Sequence, residues 1–207
     1  MKDLFKGWCT VPNFLTFSRI VMVPFIAVLF VKDELVAALV LLALSGLTDL
    51  FDGKIARRFN QVSNLGKILD PVADKLTQIT LAVLLFIKFN NVTDKTLKAF
   101  SWVFLVFIAK EAVMVIGGAI MLAVGLRPGA AEIYGKVATF AYYVVMIVVI
   151  CFGPEIGALR TFFTLPNPVM IGLVVISAIL TLVAFASYMP ALRVQVKEHF
   201  EKKKSSD

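Results

Sequence analysis

Six long apolar runs, each bounded by charges, proline or glycine, dominate this sequence and leave little choice of fold. They cover about residues 14–31, 35–56, 68–88, 99–124, 134–153 and 167–189, and each approaches the roughly 20 residues a helix needs to cross a hydrocarbon core about 30 Å thick. A bilayer offers backbone N–H and C=O groups no water, so a segment inside it must satisfy them itself, as a helix does. A mean hydropathy of +0.88 with only 17% charged residues excludes an ordinary soluble domain. The sequence therefore predicts an all-α integral membrane protein with six transmembrane helices.

An even number of spans puts both ends on one side, and the basic residues choose which. Lys2, Lys6, Arg19, Lys54, Arg57, Arg58, Lys67, Lys75, Arg127, Lys136, Arg193, Lys197 and Lys202 to Lys204, 15 in all, fall on one side; Lys32, Lys88, Lys95, Lys98 and Arg160 make 5 on the other. Positive residues favour the cytoplasmic side, so both termini are expected in the cytoplasm. The net charge of +7 is then mostly a topology signal, with the tail "RVQVKEHFEKKKSSD" adding affinity for anionic head groups. Nucleic-acid binding is the weaker reading, because the basic residues hug the span edges and no recognition motif accompanies them. Residues 1–12, with "KDLFKGW", are expected as a short interfacial amphipathic helix, 13–190 as the membrane domain and 191–207 as a basic cytoplasmic tail. The first run carries Arg19 and Pro24 and lacks a small-residue cleavage site, so it is expected to be a retained span. Cys9 and Cys151 fall at opposite faces, which rules out an intrachain disulfide in this topology, and His199 stands alone in the tail.

Against this apolar background "LTDLFDGKIARRFNQVSNLGKILDPVADK" stands out, with Asp49, Asp52, Asp70 and Asp74 in one short stretch. At 100° per residue Ser45, Asp49, Asp52, Gly53 and Ala56 share a face at the end of the second span, and Gly66, Asp70, Asp74 and Gln78 share one at the start of the third. The short connection makes the two helices antiparallel neighbours, so four carboxylates converge just inside the membrane edge. Like charges in one pocket repel and protonate unless cations join them, and Lys54, Lys75 and Arg57 are expected to lean toward the surface. Two hard divalent cations on oxygen ligands answer that need, and such a pair suits displacement at phosphorus. Two other readings stand beside it. One is a proton or sodium relay in an ion-coupled transporter, which would want acids near the midplane and access from both faces; the other is a structural cluster.

Written as a pattern, the stretch is Asp49-x-x-Asp52-Gly53-x-x-Ala56-Arg57, eight residues, then Gly66-x-x-x-Asp70-x-x-x-Asp74. It resembles the signature of the CDP-alcohol phosphotransferases at every fixed position. The N-terminal "PNFLTFSR" and the six-span layout are similar to that family too, from residue 12 to about 189. The resemblance implies transfer of the phosphatidyl group of CDP-diacylglycerol to an alcohol with release of CMP, by a homodimer of the phosphatidylglycerol and cardiolipin branch. It implies that Asp49, Asp52 and Asp70 hold two divalent cations, Mg2+ or Mn2+, while Asp74 contributes to the site and acts as general base. The donor would fall to Asn13, Thr16 and Arg19 on one flank of the first helix and to Gly53, Ala56, Arg57 and Gly66 of the signature. Gly53 and Ala56 would let the nucleotide lie against the helix backbone, although small residues also serve close helix packing, and Arg19 has a rival reading as a side chain snorkelling to head groups. Pro71 is expected either in the first turn of the third helix or as a kink that aims Asp74 inward.

The acceptor rests on fewer residues. Phosphatidylglycerophosphate synthases of the family carry a basic pocket for glycerol 3-phosphate, and Lys110, Arg127 and Lys136 resemble it. Gly117, Gly118 and Ala138 stand where that subfamily usually shows further basic residues. That depletion leans toward phosphatidylglycerol, the acceptor of the eukaryote-type cardiolipin synthases, whose surroundings "GLTDLFDG" is similar to. Glycerol 3-phosphate is the expected acceptor, with phosphatidylglycerol as the alternative. Lys110 beside Glu111 also has a plainer reading, an intramembrane ion pair that holds its helix in register.

Overall fold

The computed structural model describes the backbone of residues 10–59, 63, 66–124 and 133–204, and the side chains of these residues apart from 49–50, 52–57, 67–68, 122–123, 191–192 and 196–204. Its elements are α1 (Val11–Val31), α2 (Leu35–Arg58), α3 (Gly66–Asn90), α4 (Lys95–Phe100), α5 (Val103–Ala123), α6 (Ile133–Phe152) and α7 (Asn167–Lys204). No strand occurs among the described residues. Nine residues of the expected interfacial segment, 1–9, lie outside the description, as does Arg127.

Local chemistry sets the helix ends. Thr10, in extended conformation, accepts the N–H of Asn13 and so caps α1, satisfying one of the orphan donors of a first turn. The chain reverses after α1 through Asp33, whose φ of 64° is the left-handed conformation that aspartate tolerates better than bulkier residues. Ser63 Oγ accepts the N–H of Gly66 at 2.8 Å and opens α3. Asp94 caps α4 by accepting the N–H groups of Thr96 and Leu97 at 2.7 and 3.1 Å. The fourth run is thus split, a short α4 turning at Ser101 and Trp102 into α5.

Four segments are long and apolar enough to cross a membrane: Val11–Val31, Lys95–Met121, Ile133–Phe152 and Asn167–Gln195. Among the described residues α2 adds a shorter apolar stretch, Leu35–Thr48, and α3 begins with "GKILDPVADK". α7 has 38 residues, about 57 Å at 1.5 Å per residue, so it continues well past the expected span and through most of the expected tail.

α1 packs on α2 and α3, α3 on α5, and α6 and α5 on α7, with α2 touching α6. The core between them is built from Phe30, Leu85, Phe89, Phe104, Met146 and Met170. Phe14, Phe17 and Phe25 of α1 and Phe140 of α6 are exposed, as apolar side chains facing lipid would be. One end of the bundle is closed by polar contacts between loops. Glu155 accepts the N–H groups of Thr93 and Asp94, Lys88 pairs with Asp33, Arg160 donates to the Glu155 carbonyl and Asn167 donates to Asp94 Oδ2. The α2–α3 hairpin lies at the other end.

Candidate active site

The inward stripe of α1 is Asn13, Thr16, Arg19, Val23, Ile26 and Phe30, all buried. It is polar at the hairpin end and apolar beyond, so the helix changes from site wall to core along its length. Ser63 Oγ donates to Asn13 Oδ1 at 2.8 Å, tying the start of α1 to the α2–α3 connection. Gly66 lies against the same group, since a Cβ there would stand 2.6 Å from Asn13 Oδ1. Its smallness serves the packing of α3 on α1. Arg19 is only 3% exposed, buried in the protein and not extended to the surface.

Asp49 and Asp52 lie in the last turns of α2, and Gly53, Ala56 and Arg57 follow them on the same helix; the side chains of these five lie outside the description. Asp70 and Asp74 lie in the first turns of α3, and Pro71 between them is inside the helix, past its first turn. The Asp70 carboxylate is exposed, and Thr16 donates to its Oδ1 at 2.5 Å across 54 residues of chain. Thr16 itself is 1% exposed, so a buried hydroxyl from α1 fixes the orientation of an open carboxylate on α3. Among the described residues no cation pairs with Asp70.

Asp74 is held differently. Gln78 Nε2, one turn along α3, donates to Oδ2 at 2.8 Å, and the Tyr143 hydroxyl of α6 donates to Oδ1 at 2.9 Å. Tyr142 donates to the carbonyl of Gln78 at 2.7 Å, so adjacent tyrosines fasten α6 to α3 at the acid and one turn beyond it. Their rings continue a column of aromatic contacts: Phe89 stacks on Phe104 at 5.6 Å, Phe104 meets Phe107 at 6.4 Å, Phe107 meets Tyr142 at 5.1 Å and Tyr142 meets Tyr143 at 5.6 Å. Aromatic pairs in this range add modestly to their burial. The column anchors the Asp74 ligands in the bundle core.

Lys75 does not lean to the surface as expected. Its ammonium lies 2.9 Å from Glu111 Oε2 on α5 as an ion contact without hydrogen-bond alignment, and 3.8 Å from Asp74 Oδ2. The reason is Glu111, which is 3% exposed and could not remain charged there without cations. Lys110 takes its other oxygen at 2.5 Å. The ion pair read beside the acceptor role of Lys110 is therefore present, with a second lysine in it. Lys136 is exposed and makes no ion pair among the described residues, and no contact joins it to Lys110. Tyr143 escaped sequence reasoning. Its one signal was a tyrosine pair in an otherwise aliphatic run.

Hard carboxylate oxygens suit divalent cations. Asp70, open, oriented by Thr16 and lacking a cationic partner among the described residues, fits such a ligand, whereas both oxygens of Asp74 already accept neutral donors. No three potential ligands come together among the described residues, which omit the side chains of Asp49 and Asp52.

A cardiolipin synthase (CMP-forming) of Streptomyces coelicolor is 36% identical over 137 residues, 63% of this chain and 60% of that protein. A protein of Aquifex aeolicus named CDP-diacylglycerol--glycerol-3-phosphate 3-phosphatidyltransferase is 32% identical over 129 residues, 62% of this chain and 68% of its own length. One of the same name from Rickettsia typhi is 41% identical over 86 residues, 40% of this chain and 48% of its own length. The aligned stretch thus spans about half to two thirds of these relatives. The family profile for CDP-alcohol phosphatidyltransferase matches residues 9–183, which takes in the polar stripe of α1, the acidic hairpin, Glu111 of α5 and the α6 partner of Asp74, and the chain belongs to that family.

Proposed function

We propose that this protein transfers the phosphatidyl group of CDP-diacylglycerol to an alcohol, with glycerol 3-phosphate as acceptor, and releases CMP. The observation that carries the reading is the pairing of an open, Thr16-oriented Asp70 with a neutrally held Asp74 one turn away on α3. In this reading Asp49, Asp52 and Asp70, with Asp74 beside them, hold two divalent cations, Mg2+ or Mn2+; the family generally uses divalent metal ions. Such ions would neutralise the donor pyrophosphate and the departing CMP. Asp74 accepts the proton of the acceptor hydroxyl as its oxygen attacks the phosphatidyl phosphorus, and the bond from that phosphorus to the CMP oxygen breaks. Asn13, Thr16, Arg19, Gly53, Ala56, Arg57 and Gly66 line the donor side, and Lys110, Arg127 and Lys136 the acceptor side. The basic-residue asymmetry supports a site and both termini at the cytoplasmic face of the cell membrane, where a lipid donor keeps its acyl chains in the bilayer, and the working unit is a homodimer.

A second acceptor is favoured by one observation. Lys110 is already matched by Glu111, which leaves less free charge for a phosphomonoester and suits phosphatidylglycerol, a phosphodiester whose chains bind through the bilayer. CMP release by the purified protein from CDP-diacylglycerol, with each alcohol in turn, separates the two. Activity is expected to vanish in excess chelator, and Asp70→Asn is expected to lose nearly all of it while the protein still folds. Full turnover without divalent cations would overturn the reading.

A further inference from the structure

Two lysines and two carboxylates share the space behind α3, and sequence neighbours are not the partners throughout. Consecutive residues of a helix point about 100° apart, so Asp74 faces Tyr143 of α6 while Lys75 faces α5. There Glu111 receives Lys75 on one oxygen at 2.9 Å and Lys110 on the other at 2.5 Å. Among the described residues Asp74 has only neutral donors at hydrogen-bond distance, Tyr143 and Gln78, with the Lys75 ammonium held at 3.8 Å. An ammonium bound directly to a carboxylate sits at about 2.8 Å. Lys75 is therefore about one ångström from closing on Asp74, and Glu111 is what it closes on instead.

We propose that Glu111 is a positioning residue for the transfer reaction: it draws the Lys75 ammonium onto itself and so keeps a cation off Asp74 Oδ2. This deepens the transferase reading and rests on it. With Lys75 clamped, Asp74 is oriented by α3 and α6 yet retains lone pairs toward the reacting hydroxyl. Without Glu111, two lysines lose their buried counter-ion, and among the described residues the remaining carboxylate in reach of Lys75 is Asp74. The resulting ion pair would occupy the oxygen that the acceptor proton needs.

The test is a set of three variants assayed for kcat and KM at saturating acceptor. Glu111→Gln is expected to lower kcat by about 10- to 100-fold, with the KM for CDP-diacylglycerol within about threefold of wild type. Adding Lys75→Met to Glu111→Gln is expected to recover at least about tenfold of that loss, whereas adding Lys110→Met is expected to leave kcat low. The two double variants carry the same net charge. Equal recovery would reduce Glu111 to charge balance, and no recovery in either would make it a structural tie between α3 and α5; both results overturn the proposal. An experimental structure of Glu111→Gln provides a readout independent of turnover, with Lys75 Nζ expected within hydrogen-bond reach of Asp74, and an ammonium still outside that reach overturns the clamp. Wild-type protein that releases no CMP from any alcohol counts against the transferase reading, while that structure still decides the clamp. Should Glu111→Gln fail to fold, Glu111→Asp, which withdraws the carboxylate by one methylene, carries the same comparisons.

Discussion

At the scale of single residues, the site depends on which donors are charged. A hydrogen bond to a charged group contributes about 1.5–3 kcal/mol, and Asp74 has two such bonds from neutral partners, Gln78 and Tyr143. Tyr143→Phe removes one of them and keeps the ring that packs on Tyr142. We expect kcat to fall by about 10- to 100-fold with the KM for CDP-diacylglycerol nearly unchanged; an unaltered kcat would show that the hydroxyl does not orient the base. The carboxylates themselves were legible in the sequence because acids are rare in an apolar chain and their i, i+3 and i, i+4 spacings define faces. Tyr143 and the Lys75–Glu111 contact were not. Tyr143 meets Asp74 across 69 residues of chain, and no periodicity reports which face of α6 meets α3. Lys75 looked like a surface residue because the only signal considered was its place at the hairpin, while a buried carboxylate on another helix decided where it went.

Helices and their ends form the next scale. The long helices were legible from apolar length alone, and their register against one another was not. The start of α4 is marked by capping: Asp94 accepts from Thr96, Leu97 and Asn167. These bonds, led by those from the Leu97 and Thr96 amides, hold the Asp94 carboxyl below its ordinary range. A carboxyl whose pKa is depressed in the folded state contributes stability that is present above the unfolded value, about 3.9, and is lost as pH falls through the folded value. Melting temperature in detergent should therefore drop on acidification below about pH 4, and Asp94→Asn, which keeps a capping oxygen but no titrating charge, should flatten that drop. An identical acid profile in the variant would exclude Asp94 as a contributor. At the other end of the bundle Gly66 admits the close approach of α1, for its missing Cβ is the space Asn13 Oδ1 occupies. The resemblance offered Gly66 only as a donor-side position of the signature, and a helix contact 53 residues away leaves no local trace in the sequence.

For the whole molecule, the proposed orientation rests on the 15 to 5 division of basic residues. In a cysteine-free background, Gln61→Cys should react with a membrane-impermeant thiol reagent only after the cytoplasmic side is opened, and Thr93→Cys should react from outside in intact cells. Labelling of position 61 from outside would invert the topology and remove the site from the side on which it is proposed to work. The four acids share one end of the bundle, while Phe89, Phe104 and Phe107 fill the column that leads from them toward the loops at the opposite end. Benzene rings neither bind nor relay protons, and the one histidine of the chain is His199 in the tail. In the proposed reaction a proton taken up by Asp74 therefore has no conductor along that column, and it is expected to leave at the hairpin end, where the donor is proposed to bind. Turnover is then expected to be electrically silent, with no net charge moved across the bilayer and a rate that does not change with membrane voltage.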